Sequence, residues 1–110
     1  MKRGDIVLVD FPFADGSASK KRPAVVVLAD TFGAMPDTIL ASISTTAQGG
    51  TTHVLIDPAT DPHSGLRVPC GIRCEKLHAV EKTALYGITG SLSKKTMLKL
   101  DDCLRRVLGL

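Results

Sequence analysis

The chain has 110 residues, a formal net charge of +3, 44% hydrophobic residues and 23% charged residues. That balance excludes a disordered tail, and no apolar run approaches the ~20 residues of a membrane-spanning helix. One domain of 1–110 with a single core is expected at this length, without disulfides. The opening Met1-Lys2-Arg3-Gly4-Asp5 has no apolar leader core, so the cytoplasm is the expected compartment.

In chain order, Asp5 to Phe13 alternates, with Ile6, Leu8 and Asp10 on one side and Val7, Val9 and Phe11 on the other. This predicts a first strand, ended by Pro12 and the turn residues Asp15-Gly16-Ser17. Arg22 to Ala29 reads as a second strand, whose run Val25-Val26-Val27-Leu28 fits burial on both faces. Thr38 to Thr45 is a third, ended by Gln48-Gly49-Gly50, and Thr51 to Asp57 a fourth, ended by Pro58. Asp61-Pro62-His63-Ser64-Gly65 is a loop. Val68 to Glu75 and Leu77 to Val80 are two short strands, and Ala84 to Ile88 is one more. Ser93 then offers a helix N-cap. Met97, Leu100, Leu104 and Val107 or Leu108 follow at helical spacing, and Gly109 stops the helix. The pattern is mainly β: a small barrel closed by a C-terminal helix.

Few standard chemistries fit. The nucleophile-elbow, P-loop and zinc-protease motifs are absent, and the acidic residues are too scattered for a two-metal nuclease. Cys70, Cys74 and His78 recur every four residues, but Pro69 and Gly71 oppose the helix that would bring them together. In a strand the first two thiols stand about 13 Å apart, too far for a disulfide or one zinc ion, so buried free thiols are expected. His53, His63 and His78 are isolated and read as surface or satisfied histidines.

Three features carry possible chemistry. In Lys20-Lys21-Arg22-Pro23, the proline disfavours helix at Arg22 and launches it from a stiff strand start, where its fork suits two phosphate oxygens. A surface strand-start arginine is the ordinary alternative. Ser42-Ile43-Ser44-Thr45-Thr46 puts hydroxyls at a strand end, which suits phosphate contacts and is also common turn composition. In Gly71-Ile72-Arg73-Cys74-Glu75, Arg73 and Glu75 share a strand face about 6.6 Å apart, either as a plain ion pair or as charge stabiliser and proton acceptor.

On these residues the sequence resembles the MazF/PemK family, the toxin halves of bacterial type II toxin–antitoxin systems. Arg3-Gly4-Asp5-Ile6 is similar to the family's opening, and Arg22-Pro23-Ala24-Val25-Val26-Val27 to its second strand. Ile43-Ser44-Thr45 sits at the family's hydroxyl pair. Gly65-Leu66 with Val68 to Leu77 resembles its arginine–acid segment, and Gly90-Ser91-Leu92-Ser93 its tail. The resemblance covers nearly the whole chain.

It implies an SH3-like small barrel of the CcdB/PemK-like kind with a C-terminal helix, a homodimer, and an antitoxin partner. It implies a sequence-specific, metal-independent endoribonuclease that cuts single-stranded RNA through 2′-hydroxyl attack, with no cofactor. Carried over, Arg22 stabilises transition-state charge or acts as acid, Ser44 (or Thr45) positions the phosphate, Glu75 is a base, and Arg73 a stabiliser or acid. Ser17, Ser19, Lys20, Lys21, Thr45 and Thr46 fall along the RNA path. The chain departs from the family in lacking a Glu, Gln or His within Gly16-Ser17-Ala18-Ser19, in Val7 for a Trp, in Cys70 for a Ser and in Ser44 for a Thr. Phe11, Phe13, Phe32 and Tyr86 are the only aromatic platforms for bases. The competing reading is a non-catalytic toxin or binding module on the same fold that grips a protein such as DNA gyrase.

Overall fold

The computed structural model describes residues 1–12, 19–47 and 49–110, leaving out the side chains of 11, 12, 19 and 20. Six strands, β1 (Asp5–Pro12), β2 (Ser19–Val26), β3 (Asp37–Ser44), β4 (His53–Ile56), β5 (Cys70–Glu81) and β6 (Leu85–Ser91), precede one helix, α1 (Lys94–Leu108). They form an antiparallel sheet in the order β4-β5-β3-β2-β1-β6. Among the described residues hydrogen bonds do not close it into a ring, and β4 and β6 are its two edges.

Strand alternation builds a core on each face. Ile6, Val25, Ala41, Ile43, Val54, Ile56, Ile72 and Cys74 point to one face, where α1 covers them with Leu100, Cys103 and Leu104. Val7, Val9, Ala24, Val26 and Leu40 point to the other, where the curled sheet brings Val80 and Leu85 over them. Of the run Val25-Val26-Val27-Leu28, the first two residues are buried, one on each face, while Val27 and Leu28 lie past the end of β2 and are only partly buried. All three cysteines are free and buried.

Several boundaries differ from the sequence expectation. β2 begins at Ser19, earlier than Arg22, because Lys20 and Ser19 pair with Phe11 and Pro12 across the β1–β2 hairpin. It stops at Val26, since Ala29 leads into a single 3-10 turn, Asp30–Phe32. The two short strands expected between Val68 and Val80 are one strand, β5, and their apparent break is a bulge. Ala41 faces Leu77 while Ser42 faces Arg73, so Cys74, Glu75 and Lys76 have no counterpart on β3. β4 is shorter than expected and β6 longer, running to Ser91. Asp15-Gly16-Ser17 lies outside the described residues.

The loop before β5 locks α1 to the sheet. Asp61, 1% exposed, accepts hydrogen bonds from the Ser93 backbone N–H at 2.8 Å and from the Thr96 hydroxyl at 2.6 Å. A Cβ on Gly90 would stand 2.2 Å from the Ser64 carbonyl oxygen, so only glycine lets this loop lie on β6. Ser93 caps α1 as expected, accepting from the Thr96 N–H, and Gly109 closes it in the left-handed conformation. Ser93→Ala is therefore expected to lower stability by about 1 kcal/mol in urea unfolding. Of the two residues offered for the last buried helix position, Val107 packs on the core and Leu108 is exposed. Arg3 fastens the other end of the sheet, bonding the Val27 carbonyl and Asp101 on α1.

Candidate functional site

The sheet face opposite α1 is covered at one end by its second core and open at the other. Ladder pairing places Ala24, Ser42, Arg73 and His53 in one row across β2, β3, β5 and β4. Directly paired residues present their side chains on the same face. Carrying the β2–β3 register two residues further sets Arg22 level with Ser44, which itself faces Gly71. Arg22, Ser44, Arg73 and Glu75 thus lie on one face of three adjacent strands. At ~4.8 Å between strands and ~3.3 Å per residue, the Arg22 and Arg73 Cα atoms stand about 12 Å apart, close enough for both guanidinium groups to meet one phosphate.

The bulge in β5 shapes the centre of this face. The Cys74 N–H bonds the Thr52 carbonyl at 2.9 Å, drawing the start of β4 against the bulge. The Thr52 hydroxyl then donates to Glu75 Oε1 at 3.1 Å, and Arg73 Nε donates to Glu75 Oε2 at 3.0 Å. His53 Nε2 stands 3.6 Å from Glu75 Oε1. Partial burial pushes the Glu75 carboxyl up, but its own backbone N–H, the Thr52 hydroxyl and the Arg73 guanidinium outweigh this and hold it below the ordinary glutamate range. Glu75 is therefore a carboxylate at neutral pH, and a weak proton acceptor while Arg73 is bound to it.

The hydroxyl cluster is placed by a second close approach. A Cβ on Gly71 would meet the Ala47 carbonyl oxygen at 2.9 Å, so glycine lets the turn after β3 fold over β5. Within that turn Ser44 Oγ accepts from the Thr46 N–H at 3.1 Å and shares a hydrogen bond with the Thr46 hydroxyl at 2.8 Å. Thr45 and Thr46 are exposed beside it.

The other expected contacts are less concentrated. Lys21 pairs with Asp10 on the opposite face from Arg22, and its ammonium lies 4.3 Å from the centre of the Tyr86 ring. The side chains of Ser19 and Lys20, and all of Ser17, lie outside the described residues, as do Phe13 and the Phe11 side chain. Phe32 is exposed, in an apolar recess with Leu28, Ile39 and Leu108. Tyr86 hydrogen-bonds Asp10, which pushes its hydroxyl pKa up.

Thr52 and His53 are the residues that sequence reasoning missed. Their side chains matter only because the bulge brings Glu75 to them, and the pairing of His53 with Arg73 joins positions 20 residues apart in the chain. The recurrence of polar residues at Thr52-His53, two residues into the expected fourth strand, is the one signal that was available.

The sequence pattern that defines the PemK-like, MazF-like toxins of type II toxin–antitoxin systems matches residues 2–108. No match was found among curated proteins. Among solved structures, a Mycobacterium tuberculosis toxin, MazF-mt6, superposes with a TM-score of 0.78 at 21% identity, covering 96% of this chain and 97% of its own. A mycobacterial endoribonuclease in complex with its cognate antitoxin gives 0.82 at 20% identity, with 100% and 96% covered. The MazE–MazF complex of Deinococcus radiodurans gives 0.78 at 13% identity, with 100% and 97% covered. At such identities these likenesses establish the six-stranded sheet with its C-terminal helix as a shared fold.

Proposed function

The chain belongs to the PemK-like, MazF-like toxins of type II toxin–antitoxin systems, and from that premise we propose that it cuts single-stranded RNA at a specific sequence without a metal ion. The observation that carries the reading is the grouping of Arg22, Ser44, Arg73 and Glu75 on one open face of three adjacent strands. Gripping a protein target requires no such grouping, whereas in-line attack on a phosphate uses every member of it.

In this mechanism the ribose 2′-oxygen attacks the adjacent phosphorus and the bond to the 5′-oxygen breaks. The products are a 2′,3′-cyclic phosphate and a free 5′-hydroxyl. Ser44, fixed by its bond to the Thr46 N–H, donates to a phosphate oxygen. Arg73 and Arg22 absorb the charge that builds on the phosphorane oxygens. Phosphate drawing Arg73 off Glu75 removes a bond that depresses the Glu75 pKa, so the carboxylate gains basicity as the substrate seats and accepts the 2′ proton. Arg22 gives a proton to the departing 5′-oxygen, which leaves as the hydroxyl, and Arg22 takes a proton back from water.

The partners in this reading are the RNA substrate, a cognate antitoxin that covers the same face, and a second copy of the chain in a cytoplasmic homodimer. No described helix is long and apolar enough to cross a membrane. The test is incubation of the purified chain with a long RNA in excess EDTA, with the cut ends mapped. Cleavage at one recurrent sequence is expected, leaving a cyclic phosphate, and it is expected to vanish when the 2′-hydroxyl at the cut site is replaced by hydrogen. A requirement for magnesium would overturn the mechanism, and intact RNA beside tight binding to a protein target would favour the non-catalytic reading.

A further inference from the structure

Glu75 is held by more than its ion pair. One of its oxygens faces Arg73, and the other faces the Thr52 hydroxyl and the imidazole of His53. His53 is also committed to this direction by its surroundings. It pairs directly with Arg73 across β4 and β5, and its N–H bonds the Gly50 carbonyl at 2.9 Å. Its Nδ1 is buried without a hydrogen-bond partner among the described residues. A buried ring nitrogen left unpaired is uncommon and calls for an explanation. The explanation lies in the tautomer: an unpaired Nδ1 is tolerated better as a lone pair than as an N–H, which leaves the ring proton on Nε2, toward Glu75.

We propose that His53 is a positioning residue of this site, whose Nε2–H holds one oxygen of Glu75 so that the other aims the Arg73 guanidinium. The proposal rests on reading this face as the RNA-cleaving site. In the empty site the 3.6 Å separation is longer than a hydrogen bond, and Thr52 supplies the closer contact. When phosphate draws Arg73 away and repels Glu75, the imidazole keeps the carboxylate from swinging toward solvent. The charged groups next to His53 are Arg73 and Glu75 from β5, and Lys99, Asp102 and Arg106 of α1 line a recess together with it.

The first test needs no activity: the tautomer of the His53 imidazole is read from its ring nitrogen shifts by NMR in the whole chain. A proton on Nε2 and a bare Nδ1 are expected. The Nε2 signal should move in Glu75→Gln and stay in place in His78→Ala. A ring proton on Nδ1, or an Nε2 signal indifferent to Glu75→Gln, overturns the proposal whatever the enzyme does. The second test is kinetic. His53→Ala should lose roughly tenfold to a hundredfold in kcat with KM within about twofold. His53→Gln, whose amide can donate to the same oxygen, should recover most of the rate. Failure of glutamine to recover more rate than alanine overturns the positioning role. An Nε2 proton that responds to Glu75→Gln in a chain that cuts no RNA would overturn the ribonuclease reading instead, and with it the catalytic purpose of the contact.

Discussion

Arg73→Ala is expected to lower the rate of RNA cleavage by about 10²–10³-fold while the melting temperature moves little. The magnitude follows from removing one preorganised donor from a developing oxyanion. The separation of activity from stability follows from where Arg73 sits. Its side chain is 30% exposed on the open face, and its bond is to a carboxylate 32% exposed. Ion pairs this wet contribute little to folding. Beneath it, Ile72 and Cys74 stay buried against α1 and continue to hold β5 in place. Arg73→Lys should recover only a small part of the rate, because a lysine keeps the charge but not the planar fork. Steady-state cleavage beside thermal unfolding of the same preparations decides the matter. An unfolded variant, or one as fast as the parent, would remove Arg73 from the chemistry.

Asp61→Ala carries the other large effect, and it is on stability. Asp61 is almost wholly buried, and it accepts from the Ser93 N–H, the Thr96 hydroxyl and the Thr60 hydroxyl. Truncation leaves the Ser93 and Thr96 donors without their acceptor at the join between β6 and α1. A loss of about 3 kcal/mol is expected, from hydrogen bonds to a charged acceptor at ~1.5–3 kcal/mol each. For a domain this size that is a fall in melting temperature on the order of 10 °C or more. Burial pushes the Asp61 carboxyl up, but the Thr96 and Ser93 hydrogen bonds prevail and hold it below the ordinary aspartate range. Because the folded pKa is the lower one, the contribution is complete above the unfolded value of about 3.9 and fades as pH falls through the folded value. The variant should therefore lose less stability than the parent on acidification below about pH 4. Equal acid sensitivity of the two chains would show that Asp61 is not the group responsible.

Much of the fold was legible because periodicity is a local property. The alternation from Ile6 to Val9 and the doubly buried Val25-Val26 each state which face a side chain meets. The helical spacing of Leu100 and Leu104 did the same for α1, though it overlooked Cys103, which is as deeply buried as they are. Arg22, Ser44, Arg73 and Glu75 could be named singly, since residue type and strand position are local as well. Ser93 and Gly109 act where capping chemistry placed them.

The amino-acid order determined the strands, the capped helix, the buried thiols and the residue types at the candidate site. Tertiary structure alone decided how those residues combine. The three-residue bulge in β5 turns Glu75 toward Thr52 and His53, and sequence reading took it for a gap between two strands. Lys21 precedes Arg22 in the chain yet faces the other way, because successive strand residues alternate and Tyr86 waits on that side. Asp61 looked like an ordinary turn residue until the loop brought it to the start of α1, 32 positions on. Each of these outcomes depends on register between distant segments, which is set by the fit of the whole core and not by any short stretch of chain.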